Sequence, residues 1–241
     1  MGTRLRTAVD TISIVNGKLQ EKVSNIGIIE PSSIIPIRRG RGSLYILVET
    51  IGGFPDHAQI QQRIIQAVQE HYRTSGSITA GIRLAIKNAN DYLFEENLNA
   101  PPEQRGIAGI TCLVLRDRDA YIGQIGPALL YQVSKEELQR LPRESSWLTS
   151  RSLQDVDISE HPPLGLRRDI EPELDHLYIK DGDILILASL SLAKLASDDK
   201  IASAAMYRSA STVRDNLESL AQRQNSVSYT HLRAHETRHD L

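Results

Sequence analysis

The chain has 241 residues, 40% of them hydrophobic and 24% charged, with a formal net charge of −2. This is ordinary for one large or two small globular domains, and the near-neutral balance offers no footing for nucleic acid or an anionic membrane. One cysteine, Cys112, excludes an intrachain disulfide and fits a reducing compartment. No apolar run reaches the roughly 18–20 residues that span a bilayer. Arg4, Arg6 and Asp10 break up any signal-peptide core, so a cytoplasmic chain is expected.

Thr11 to Val15 alternates as a half-buried strand, Asn16-Gly17 is a hairpin-turn signal, and Lys18 to Val23 reads as the return strand. Ile26 to Ile29 is a further strand, stopping at Glu30-Pro31. Ile34, Ile35 and Ile37 suggest a short edge strand, since Pro36 interrupts it. Arg38, Arg39 and Arg41, set among glycines, have the chemistry to hold a phosphate; a solvated turn is the plainer reading. The run Leu44 to Val48 is short, unbroken and aliphatic, as in a strand buried on both faces. It ends on Glu49, and Gly52-Gly53 then permits a tight turn or close backbone approach. A carboxylate delivered to a strand end beside a glycine turn suits a metal or phosphate, although a solvated glutamate in a strand-to-helix connection explains the same residues.

Asp56 is the expected N-cap of an amphipathic helix carrying Ile60, Ile64, Ile65, Val68 and Tyr72. After Thr74 to Ser77 a second helix runs from Ile78 to about Leu98, stopped by Pro101-Pro102, and the short loop implies antiparallel packing. Strands follow at Ile110 to Arg116, Ala120 to Ile125 and Ala128 to Val133. Residues 143–171 have weak periodicity and read as a variable, partly ordered insertion. Leu174 to Ile179 and Asp183 to Ala188 are strands about an Asp181-Gly182 turn, and helices are expected at Ser191 to Ala196, Asp198 to Met206 and Ser211 to Gln222. Strands, two helices, strands and helices make an α+β pattern. His57 has the chemistry of a general acid but reads as an exposed residue of the first helical turn. His161 and His176 read as surface residues, Cys112 as a buried small hydrophobe, and Asp181 and Asp183 as turn residues.

Val227 to Thr237 resembles a translated transposon-end sequencing adapter, with Arg238 to Leu241 running on behind it. Residues 227–241 are therefore expected to be an artefactual tail, leaving 1–226 as a single, C-terminally truncated domain. Within the tail, His235-Glu236-Thr237-Arg238-His239 fits the helical zinc motif His-Glu-x-x-His, with His231 at the same spacing; the adapter accounts for the same residues.

Four places together resemble the metal-dependent, type-2C serine/threonine protein phosphatases. The apolar strand with Glu49-Thr50-Ile51-Gly52-Gly53 looks like the family's strand and Asp-Gly-x-Gly-Gly. Gly106 to Val114 looks like its Gly-x-Gly-Thr-Thr strand, and Ile125 to Tyr131 falls where the family has Val-Gly-Asp-Ser-Arg-Ala-Tyr. Pro163-Leu164-Gly165 and then Asp181 to Leu190 fall where it has Pro-Leu-Gly and Gly-Asp-x-Leu-Leu-Leu-x-Ser-Asp-Gly. Order and spacing hold from about residue 11 to 225. The resemblance implies a four-layer αββα sandwich and hydrolysis of phosphoserine and phosphothreonine by a water bridged between two Mn²⁺ or Mg²⁺ ions, which need several carboxylate oxygens.

The departures fall on the expected ligands. The first family aspartate is Glu49, and Thr50 takes the place of the glycine whose carbonyl meets metal. Pro127 and Leu190 stand at two other aspartate positions, and neither has a side-chain oxygen. The early Asn-Glu-Asp cluster has no clear counterpart, Glu30 being the nearest acid. Glu49 and Thr50 are thus the vestigial metal residues, no catalytic residue is assigned, and no phosphate-binding residue is identified. The expectation is a catalytically inactive pseudophosphatase that binds protein and needs no cofactor. The alternative is a phosphatase using Mn or Mg at a rearranged site built from Glu49 with Asp56, Glu30 or a later acid.

Overall fold

The structure, a computed structural model, describes residues 6–15, 18–20, 23–30, 42–72, 76–135, 137–159, 162–206, 209–223 and 230–238. In chain order the strands are β1 (Arg6–Val15), β2 (Lys18–Leu19), β3 (Ile26–Ile29), β4 (Ser43–Gly52), β5 (Gly106–Arg116), β6 (Asp119–Ile125), β7 (Ala128–Val133), β8 (Leu138–Leu141), β9 (Glu173–Tyr178), β10 (Ile184–Ser189) and β11 (Thr230–Arg238). The α-helices are α1 (His57–Tyr72), α2 (Ile78–Asn99), α3 (Ser146–Thr149), α4 (Leu190–Leu195), α5 (Asp198–Ala205) and α6 (Ala210–Arg223). The α+β expectation holds, and the elements fall into two compact units.

One unit, residues 24–128 and 145–177, contains a five-stranded sheet in the order β3-β4-β5-β6-β9, with β3 to β6 antiparallel to their neighbours. β4 lies inside the sheet between β3 and β5, and its run is buried from Leu44 to Glu49. Its alternate residues Leu44, Ile46 and Val48 pack in one cluster with Ile64, Val68, Ile82, Ile86 and Leu93 of α1 and α2. At about 2 kcal/mol for each fully buried aliphatic side chain, this face fixes the helix pair on the sheet. α1 starts where expected: the Asp56 carboxylate accepts from the Gln59 amide at 3.0 Å. Ser77 caps α2 by accepting from Ala80 N at 3.1 Å.

The other unit, residues 1–23, 129–144 and 178–241, contains a six-stranded sheet in the order β2-β1-β11-β10-β7-β8, with helices α4 to α6. β10 is buried along its whole length. The β1–β2 pair has Ile14 opposite Leu19, as the hairpin reading requires, although Asn16 and Gly17 lie outside the described residues. So do the Ile34–Ile37 strand, Arg38, Arg39, Arg41 and His161.

The sequence reading needs three corrections. β1 begins at Arg6 rather than Thr11, its first half being held by pairing to β11 rather than by its own alternation. The strand β8, unsignalled in the sequence, pairs with β7. The stretch 143–171 is anchored, with Trp147 of α3 only 1% exposed and Leu164 bridged to Ala108 of β5. Its order comes from contacts distant in sequence, which periodicity does not register.

The segment read as an adapter-derived tail runs, from Thr230 to Arg238, as β11 between β1 and β10. In an extended strand, residues four apart are roughly 13 Å apart, so His231 and His235 do not share the helical face that a zinc motif needs.

Candidate functional site

Glu49 and Thr50 lie near the end of β4, opposite Gly109 and Ala108 of β5. They take opposite faces of the strand. Glu49 follows Tyr45 and Leu47, on the face away from α1 and α2, and is 7% exposed. Thr50 faces α1. Its Oγ1 accepts from Gln61 Nε2 at 2.9 Å and lies 2.9 Å from His57 Nδ1. Ser24 donates to the Gln61 Oε1 at 2.6 Å, so a line of four polar side chains ties the approach to β3, the end of β4 and the start of α1. A threonine side chain used in this way supports the helix. His57 is half-buried, and its ring also stands edge-on to Phe54, which corrects the reading of a freely exposed histidine.

Asn25 lies next to Glu49 by way of Val48. The Val48 N–H donates to the Asn25 carbonyl at 2.9 Å, and Asn25 Nδ2 donates to the Val48 carbonyl at 3.1 Å. Asn25 is fully buried, which no pattern in the sequence signals. Gln61 did carry a signal: it sits on the stripe of Ile64, Ile65, Val68 and Tyr72, where a polar residue needs a buried partner.

The glycine turn makes the close backbone approach that its sequence permits. Gly52 has φ +127°, and a Cβ there would stand 2.5 Å from Gly106 Cα. A Cβ on Gly53 would overlap the Glu103 carbonyl oxygen, and Gly53 N donates to Arg105 O at 2.9 Å. The absent side chains admit the backbone of residues 103–106.

Pro127 follows Gly126, whose φ is +66°, in the β6–β7 turn. It packs directly on β5: a Cβ on Gly109 would meet Pro127 N and Cδ, both at 2.7 Å. Leu190, 6% exposed, is the first residue of α4. Ser189 caps that helix by accepting from Leu192 N at 3.3 Å. Asp183 is 3% exposed, and its carboxylate accepts from Lys180 N at 2.9 Å and Gln132 Nε2 at 2.8 Å, which occupies it in the turn before β10.

The metals implied by the resemblance do not fit this donor set. Among the described residues no group of three or more His, Cys, Asp or Glu side chains stands together. Pro127 and Leu190 offer no side-chain oxygen, and the place beside Gly109 is filled by the proline ring. Glu30 lies past the far end of β3 and accepts from Tyr45 Oη at 3.2 Å. Since Ile29 pairs with Leu44, Glu30 is level with Ser43, on the order of 20 Å along the sheet from Glu49. The Asp56 carboxylate is engaged as the α1 cap.

The remaining polar predictions resolve simply. Cys112 is fully buried in β5, and burial pushes its thiol well above its ordinary range. His176 is on the surface but has a partner: Nε2 lies 2.8 Å from Asp119 Oδ1, and the ring leans on Tyr121.

No family model matches the sequence, and no curated protein does. Solved structures do match. The serine/threonine phosphatase PstP/Ppp of Mycobacterium tuberculosis superposes with TM-score 0.71 at 18% identity, covering 98% of this chain and all of that one. The S. agalactiae serine/threonine phosphatase gives TM-score 0.75 at 14% identity, covering 96% of this chain and 99% of the other. The chain has the type-2C phosphatase fold. PppA of Pseudomonas aeruginosa, described as a key regulatory component of T6SS, shares the type-2C fold with TM-score 0.71 at 16% identity, covering 98% and 99%. A further PstP structure holds two manganese ions. The four places that suggested the type-2C phosphatases fall on the end of β4, on β5, on the β6–β7 turn, and on Leu164 with β10 and the start of α4.

Proposed function

We propose that this chain is a type-2C-like pseudophosphatase, a cytoplasmic binding or regulatory module that keeps the phosphatase fold without its two-metal chemistry. One observation carries the reading: of the positions where the fold family places metal-binding carboxylates, Pro127 is packed against the Gly109 backbone and Leu190 is buried as an aliphatic residue. Two hard divalent cations need six or more oxygen ligands apiece, largely from carboxylates and water. Glu49 alone does not supply them, and apolar residues at the other positions remove the repulsion of carboxylates left without cations. The partner is a protein: the near-neutral charge does not favour nucleic acid, and no helix among the described residues is long and apolar enough to cross a membrane. Residues 1–226 form the functional domain and 227–241 the foreign tail.

The test pairs titration calorimetry with Mn²⁺ and phosphate release from a phosphothreonine peptide, on the chain and on Glu49→Ala. The reading expects no saturable micromolar Mn²⁺ binding and no turnover in either. Metal-dependent release that Glu49→Ala abolishes would establish the alternative, a working phosphatase with rearranged ligands.

A further inference from the structure

We draw no further inference here: the strongest candidate, the side-chain cluster of Tyr131 on β7 and Arg140 opposite it on β8 beside the start of α5, carries nothing, because Arg140 is already paired with Asp198 at 2.9 Å and nothing in the structure shows a ligand that the adjoining helix N-terminus would hold.

Discussion

Leu190→Asp places a carboxylate where the resemblance to the type-2C phosphatases implies one and this chain has packing. The leucine is 6% exposed, so its removal forfeits about 2 kcal/mol of burial. The new carboxyl is buried next to Ser189, itself 1% exposed, and a rise of one to three pKa units adds roughly 1.4–4 kcal/mol at neutral pH. The first turn of α4 returns about 0.3–1 kcal/mol through the helix dipole. The net cost is about 3–5 kcal/mol at pH 7, a fall in Tm of roughly 6–20 °C for a chain of this size. The pH dependence follows in sign. A carboxyl with a raised folded pKa is penalised in full above that pKa, and the penalty disappears as pH falls below about 3.9, the unfolded value. The gap in Tm between wild type and variant therefore narrows from pH 7 to pH 4 but does not close, because the lost packing remains. Differential scanning fluorimetry across that range, with and without millimolar Mn²⁺, measures both effects. A variant as stable as wild type at pH 7, or one that Mn²⁺ rescues saturably, refutes the claim that this position has become apolar core remote from any metal site.

Asn90→Asp should cost about 2–4 kcal/mol in urea melts, since the fully buried Asn90 donates to the Arg167 and Arg168 carbonyls and accepts from Gly165 N, and a carboxylate there faces two acceptors. Wild-type stability in that variant would show that the α2 anchor of the 162–168 turn is dispensable. Gly109→Ala should cost about 1–3 kcal/mol by overpacking, because the new Cβ meets the Pro127 backbone and ring at 2.7 Å; chemical denaturation reads it directly. Glu171→Gln on the surface should have only a small effect at neutral pH. Hydrogen bonding from Lys87 holds the Glu171 carboxyl below its ordinary value, so that contribution is present above the unfolded carboxylate pKa and lost as pH falls through the folded one. Melting curves of wild type and variant should differ slightly at pH 7 and coincide at pH 3.

The sequence made the elements legible wherever burial was local. The unbroken run Leu44 to Val48 announced a strand covered on both faces, and the spacing of Ile60 to Tyr72 announced α1. Long-range pairing was not legible. β8 has only four residues and no alternation of its own, and Trp147 gains its burial from contacts that a one-dimensional pattern does not contain. At the site, the missing oxygens of Pro127 and Leu190 could be read from residue type alone. The Ser24-Gln61-Thr50-His57 line could not, because its members are 37, 11 and 7 residues apart.

The packing of Gly52 and Gly53 on residues 103–106 bears on how a signature of this kind is weighed. A search that scored this chain by its glycines would count them in favour of phosphate release, yet here they answer to a steric demand made by the chain itself. Any descendant of the fold that keeps the Glu103–Gly106 segment in place must keep both glycines, whether or not it ever meets a phosphorylated substrate. Both glycines are accounted for by a backbone crossing, so the case for or against metal chemistry rests on the carboxylate positions alone.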